Sequence, residues 1–95
     1  MRLILYTFLT VFLVTSASAQ NFDVSGTITE EDTGFPILGA NIILMGSNKG
    51  EVSDFDGNYS ISDVPAGSIL QFSYVGFVTQ EITVSASGKI DIILA

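Results

Sequence analysis

The sequence contains neither cysteine nor histidine among its 95 residues. Without cysteine there can be no disulfides, thiol chemistry, iron–sulfur clusters or cysteine zinc sites. Without histidine the chain lacks the side chain that most often serves as general base or metal ligand. No Gly-x-Ser-x-Gly motif occurs. A Ser–Lys pair would need Lys49 or Lys89, and both lie beside glycine in predicted loops, where solvation is expected. We therefore predict that the protein is not an enzyme and uses no cofactor.

Basic residues are scarce as well: three lysines and arginines stand against ten acidic residues, for a net charge of −7. Such a chain repels the phosphates of nucleic acids and offers no basic patch to bind them. It should also avoid anionic lipid. Because apolar residues recur at regular spacing, the acidic composition does not indicate a disordered tail.

The one long apolar run lies at the start of the chain. A positive charge at Arg2 precedes an apolar run over residues 3–14, and the small residues Ala17-Ser18-Ala19 follow. This layout predicts a secretory signal peptide over residues 1–19 and an exported domain over residues 20–95. Removal of the leader leaves two lysines against ten acidic residues, a net charge of −8. The run is shorter than the ~20 residues that a membrane-spanning helix needs, so we expect no membrane insertion by the mature domain.

After the leader, apolar residues alternate with polar ones and show no helical period. Glycine, proline and aspartate turn signals separate short alternating stretches at intervals of about 8–12 residues. The pattern predicts an all-β fold, a seven-stranded antiparallel β-sandwich over residues 20–95. The predicted inward-facing residues are Val24, Ile28, Ala40, Ile42, Leu44, Tyr59, Ile61, Leu70, Phe72, Tyr74, Ile82, Val84, Ile90, Ile92 and Leu94.

The stretch Asp54-Phe55-Asp56-Gly57-Asn58 contains three weak candidates for a metal site, namely Asp54, Asp56 and Asn58. They match a calcium loop poorly, because the glycine comes too early and no distant glutamate stands at the required spacing. Asp54 is instead expected to accept hydrogen bonds from backbone amides across a turn. Asp56-Gly57 is a common hairpin dipeptide. We predict a hairpin turn without a metal, and a small calcium- or carbohydrate-binding module remains an alternative.

Several apolar residues fall off the predicted inward rows. They either cover the ends of the sheets singly or cluster into a docking patch. A free edge strand of the sandwich is a second predicted contact, through strand addition. The off-row residues are Ile43, Met45, Val52, Phe55, Phe77 and Ile93.

Four motifs occur in order: VSGTI at residues 24–28, DTGFPILGANI at 32–42, GEVSDFDGNYSI at 50–61 and LQFSYVGF at 70–77. Together they resemble the carboxypeptidase-regulatory-like domain, a transthyretin-like β-sandwich. The resemblance runs from Val24 to about Leu94, nearly all of the predicted mature chain. One departure is the stretch at residues 35–38, where the family usually has Pro-Leu followed by Pro or Ala. It lies in a predicted turn.

The leader followed by this domain resembles the N-terminus of SusC/RagA-type TonB-dependent outer-membrane receptors. In those receptors the domain lies in the periplasm, before the TonB box, the plug and the barrel. The resemblance implies a non-catalytic accessory or interaction domain of a nutrient-uptake receptor. Its partners would be proteins of the cell envelope: its own barrel or receptor-associated proteins.

The alternative to a receptor module is an exported structural domain that stands alone or is attached to an enzyme, as on carboxypeptidases. The sequence stops at Ala95, directly after the last predicted strand. We therefore expect the domain to be either the whole protein or the front end of a longer one.

Overall fold

The computed structural model describes residues 20–95, and the predicted signal peptide lies outside the described residues. The described chain forms β1 (Asn21–Glu30), β2 (Asn41–Leu44), β3 (Gly50–Val52), β4 (Asn58–Pro65), β5 (Ile69–Ser73), β6 (Gln80–Thr83), β7 (Gly88–Lys89) and β8 (Ile92–Leu94). The all-β prediction is confirmed. In the described range no helix is long and apolar enough to cross a membrane.

Two sheets pack face to face around one apolar core. In the first sheet the long strand β1 pairs antiparallel with β4 on one side and parallel with β7 and β8 on the other. The second sheet is antiparallel in the order β3-β2-β5-β6. Alternate side chains of a strand point to opposite faces, and in β2 this buries Ile42 and Leu44 while Asn41 and Ile43 stay exposed. The predicted sandwich is therefore confirmed.

The C-terminal part differs from the seven-stranded antiparallel prediction in strand number and direction. The last predicted strand is two short strands, β7 and β8, so the described chain has eight. Both run parallel to β1 and share one register, in which Val24 faces Gly88 and Ile28 faces Ile92. Alternation within a strand specifies which side chains face inward but not the direction of the neighbouring strand, so the sequence pattern could not reveal this pairing.

The interruption between β7 and β8 falls at Ile90 and Asp91. The backbone N–H of Ile90 donates to the carbonyl oxygen of Ser25 at 2.7 Å. The next partner of β1 is a side chain, because the N–H of Thr27 donates to Oδ1 of Asp91 at 3.0 Å. A carboxylate thus replaces a backbone carbonyl in the ladder. This replacement separates β7 from β8, and both strands keep the same register against β1.

Most of the predicted core is buried, and the core draws on both sheets. Ile82 and Ile90 were predicted to be fully inward but are half-buried, packed against the core. Ile37 and Val64 are buried although the sequence pattern did not select them. The predicted residues that are confirmed as buried are Val24, Ile28, Ala40, Ile42, Leu44, Tyr59, Ile61, Leu70, Phe72, Val84, Ile92 and Leu94.

A β-bulge explains why Val64 was missed. The inward alternation of Tyr59 and Ile61 does not continue unbroken, because β4 runs to Pro65 and its pairing with β1 shifts by one residue between Phe22 and Val24. Asp63 takes up the extra residue with a φ of 57°. Its N–H donates to Oδ1 of Asp23 at 3.3 Å. A one-residue insertion reverses which side chains face inward, so Val64 enters the core.

Tyr74 was predicted to be buried, and this prediction is wrong, because its side chain is 38% exposed. β5 ends at Ser73, and a turn follows in which the N–H of Phe77 donates to the carbonyl of Tyr74 at 3.1 Å. The inward alternation of Leu70 and Phe72 therefore stops one residue before Tyr74. Its ring packs against Phe77 instead, with centroids 6.1 Å apart.

Candidate functional site

The turn that carries the three metal candidates is closed by Asp54. Its Oδ1 accepts hydrogen bonds from the N–H groups of Asp56 and Asn58, both at 2.9 Å. The backbone closes the same loop, since Asp54 N–H donates to the Asn58 carbonyl and Gly57 N–H donates to the Asp54 carbonyl, each at 2.9 Å. Asp54 therefore has the turn-shaping role that its position predicts.

One of the other two candidates also binds a protein group. Oδ1 of Asn58 accepts a hydrogen bond from the hydroxyl of Thr27 at 2.9 Å. Within residues 20–95 no group of three or more acidic side chains is placed to hold a metal ion. The structure brings Asp54, Asp56 and Asn58 into one loop, but two of the three use side-chain oxygens to bind protein groups. The absence of a metal remains a prediction.

The turn is fixed against β1 by a close backbone approach at Gly57. The N–H of Ile28 donates to the Gly57 carbonyl at 2.8 Å. A methyl group at Gly57 would lie 2.6 Å from the Ile28 oxygen and 2.8 Å from Cβ of Pro36, and its φ is 78°. Only glycine fits both the space and the backbone angle. The turn is therefore a rigid part of the sandwich.

Ser53 is a structural residue that the sequence reasoning did not single out. Its side chain is buried, accepts a hydrogen bond from Ala40 N–H at 2.8 Å and donates one to the Ile37 carbonyl at 2.5 Å. It thereby satisfies the backbone of the segment that enters β2. The signal was present in the GEVSDFDGNYSI motif, where the serine directly precedes Asp54.

Tyr59 connects the core to the segment between β7 and β8. Its ring packs edge-on against Phe72, with centroids 5.2 Å apart, and its hydroxyl donates to the Ile90 carbonyl at 2.6 Å. Burial, and secondly the Asp91 carboxylate, raise the pKa of the Tyr59 phenol from 10.0 to about 12. The phenol is thus held in its protonated, donating form.

A shallow depression of about 310 Å³ lies along β2 and β3 on the second sheet. Its lining includes Asn41, Ile43, Gly50 and Val52, with Glu51 as the one acidic residue. Ile43 and Val52 are two of the off-row apolar residues, and here they cover the outer face of a sheet.

A second group of exposed apolar side chains lies in three loops at one end of the sandwich. We call this group the apolar end. From the sequence, Phe55 was expected to lie off the inward rows and Tyr74 was wrongly expected in the core, whereas the other four were not selected. The members, with their exposed fractions, are Phe35 (65%), Leu38 (54%), Phe55 (81%), Tyr74 (38%), Val75 (90%) and Val78 (70%).

Comparison with solved structures places this sandwich among known folds. A chain in a type II cohesin–X-dockerin complex from Acetivibrio cellulolyticus superimposes with a TM-score of 0.62 at 27% identity, covering 77% of this chain and 56% of that chain. A putative carbohydrate binding protein from Bacteroides uniformis gives a TM-score of 0.53 at 18% identity, over 76% of this chain and 40% of that chain. The second likeness concerns the fold alone.

Comparison of sequences connects the chain to receptors. It is 50% identical over 76 residues to TonB-dependent receptor P3 of Formosa agariphila and 40% identical over 76 residues to TonB-dependent receptor SusC of Bacteroides thetaiotaomicron. Each alignment covers 80% of this chain but only 8% and 7% of the respective receptor. The chain therefore spans a small part of the length of these relatives.

The model of the CarboxypepD_reg-like domain matches residues 24–95. The match includes all four sequence motifs, β1 from Val24 onward and all of β2 to β8. The family that those motifs indicated is confirmed: the chain belongs to the CarboxypepD_reg-like domain family.

Proposed function

We propose that the protein acts as the N-terminal, non-catalytic periplasmic module of a TonB-dependent outer-membrane receptor. The observation that carries the proposal is its 50% and 40% identity to two such receptors over 80% of the chain. The expected signal peptide at residues 1–19 supports export. The module serves as an interaction domain for proteins of the cell envelope, and transport belongs to the rest of the receptor.

The described surface supports a role in protein contact. Two of its carboxylates bind the backbone of the domain itself: Asp54 closes a turn, and Asp91 completes the β1 ladder. Its apolar groups, by contrast, are concentrated at the apolar end. Exposed apolar clusters on a small folded domain indicate contact with another protein surface. A rigid β domain with such a surface contributes binding without any reaction.

The role can be tested by deleting residues 20–95 from the receptor-length protein while keeping the signal peptide. We expect the amount of receptor in the outer membrane to stay unchanged and uptake of its nutrient to fall. A control with Ser60→Ala, an exposed position on β4, should change neither quantity. Normal uptake by the deletion variant would refute the proposed role.

The main alternative is an exported structural domain that stands alone or is attached to an enzyme. It predicts a different coding sequence after Ala95. Reading the coding DNA beyond the codon for Ala95 separates the two. A receptor module requires a TonB box and barrel strands in the same reading frame. A stop codon, or an enzyme domain, would favour the alternative.

A further inference from the structure

The hydrogen bonds of the sandwich bring the three loops of the apolar end together. Gly39 N–H donates to the Ser53 carbonyl at 3.0 Å, which ties the loop of Phe35 and Leu38 to the turn of Phe55. A methyl group at Gly39 would lie 3.9 Å from the ring of Tyr74, so the third loop lies beside the first. The apolar end is therefore one surface that three separate segments build.

Exposed apolar side chains are concentrated at the apolar end and are scarce at the opposite end of the sandwich. The loops there are made of small and polar residues, GSNK at 46–49, AGS at 66–68 and SAS at 85–87. Of the exposed large apolar side chains within residues 20–95, only Met45 and Ile69 lie next to these loops, 43% and 38% exposed. Ordinary scatter of surface apolar residues would not favour one end so strongly.

Charge adds a second distinction to the apolar end. Its loops carry acidic residues, Glu31 and Asp32 in the first and Asp54 and Asp56 in the second. The described lysines lie elsewhere, Lys49 in a loop of the opposite end and Lys89 in β7 beside Ser25. A partner that fits this surface has an apolar centre and basic residues around it, because complementary charge fixes the orientation of contacts.

The C-terminus of the domain lies at this same end. The N–H of Glu31 donates to the Leu94 carbonyl at 2.9 Å, and the N–H of Val78 donates to the Ala95 carbonyl at 2.7 Å. In a receptor-length protein of the proposed kind, the polypeptide after residue 95 leaves the domain between two loops of the apolar end. A tethered partner reaches the surface at high effective concentration, so a small contact area suffices.

We propose that the apolar end docks onto the part of the same receptor polypeptide that follows residue 95, with basic residues of that part facing the acidic loops. This inference rests on the proposed function, since it requires a receptor-length chain. It assigns the partner to the receptor itself and assigns the contact to one end of the sandwich. The outer faces of the two sheets stay in solvent.

Thiol labelling of the receptor-length protein tests the docking. Val75→Cys and Met45→Cys each introduce one thiol, and the labelled peptide is quantified by mass spectrometry after a brief maleimide pulse. The domain alone predicts faster labelling at position 75, because Val75 is 90% exposed and Met45 is 43% exposed. Docking predicts the reverse order, with labelling at position 75 slower than labelling at position 45 by at least about tenfold.

A second substitution identifies the surface responsible. Phe55→Asp places a charge on the apolar end and should restore fast labelling at position 75. Ile69→Asp, a matched change near the opposite end, should leave it slow. Fast labelling at position 75 without any second change would overturn the docking, and so would protection that persists with Phe55→Asp. Protection that disappears on dilution would overturn it in favour of contact between two copies.

The test separates failure of this inference from failure of the proposed function. The mass of the polypeptide that carries residues 20–95 is measured before labelling. A mass matching the domain alone refutes the receptor role. A receptor-length mass with fast labelling at position 75 retains the receptor role and refutes the docking alone.

Discussion

At Gly26 the backbone of β1 passes so close to the backbone of Ile90, between β7 and β8, that no side chain fits. A methyl group there would lie 1.9 Å from the carbonyl oxygen of Ile90 and 3.1 Å from the ring of Tyr59. The same Ile90 oxygen accepts the hydrogen bond of the Tyr59 hydroxyl. Gly26, Tyr59 and the Ile90 carbonyl therefore fix the C-terminal segment against β1 at the interruption between β7 and β8.

Gly26→Ala should destabilise the mature domain by more than about 3 kcal/mol, because the overlap can be relieved only by moving one backbone away from the other. Urea unfolding of residues 20–95 measures the loss. The control is Gly46→Ala, where φ is 82° and nothing lies within 4 Å. It should cost only the left-handed backbone penalty of about 1–2 kcal/mol. Equal losses for the two variants would show that the close approach is absent.

The stability of the domain should also depend on alkaline pH through Tyr59. Because the folded state raises the pKa of the phenol from 10.0 to about 12, it holds the proton more tightly than the unfolded chain does. This contribution is complete below pH 10 and is lost as the pH rises through about 12.

Unfolding free energies measured at pH values from 8 to about 12 check this dependence. Tyr59→Phe should be less stable near neutral pH by about 1 kcal/mol, for the lost hydrogen bond to Ile90, and should lack the alkaline fall. Tyr74→Phe, at the half-exposed tyrosine, should keep the fall. An identical pH profile for the wild type and Tyr59→Phe would contradict the assignment.

At the scale of the strands, local alternation predicted correctly which segments are strands. It was less accurate on the residue at which the alternation of each strand stops. β2 and the first part of β5 follow the expected pattern, with Ile42 and Phe72 fully buried. The pattern failed at Tyr74, where the strand had already ended, and at Val64, where a bulge reversed the faces. Both failures depend on neighbouring strands and turns, which the identity of a single residue does not specify.

Two aromatic residues of the same segment give a direct test of this boundary. Phe72→Ala should cost about 3–5 kcal/mol, the usual loss for a buried aromatic residue. Tyr74→Ala should cost about 1–2 kcal/mol, because its ring is 38% exposed and contacts Phe77 at the surface. Urea unfolding of the two variants compares them, and a loss at Tyr74 as large as at Phe72 would place Tyr74 in the core after all.

The Asp54 turn gives a prediction about ligands as well as stability. Asp54→Ala should destabilise the domain by about 1–2 kcal/mol, because two backbone N–H groups lose their acceptor. Asp56→Ala serves as the control and should stay within about 0.5 kcal/mol of the wild type. Calcium should give no heat in a calorimetric titration and no change in melting temperature. Saturable heat that Asp54→Ala abolishes would establish a metal site instead.

For the molecule as a whole, the sequence motifs predicted the family, whereas the surface became visible only in the folded chain. Val75 and Val78 lie forty residues after Phe35 and Leu38 in the chain, and only the sandwich gathers them with Phe55. The parallel direction of β8 brings the C-terminus to the same end. The proposed function therefore rests on the relatives of the chain, and the proposed contact surface rests on the structure.

The size and location of the polypeptide that contains residues 20–95 test the central claim most directly. Cell fractions are separated, probed with an antibody against this domain, and the mature N-terminus of the detected protein is sequenced. We predict a receptor-length protein in the outer-membrane fraction that begins at Gln20. A protein of the size of the domain alone, or one found in the cytoplasmic fraction with Met1 still attached, would contradict the receptor-module account.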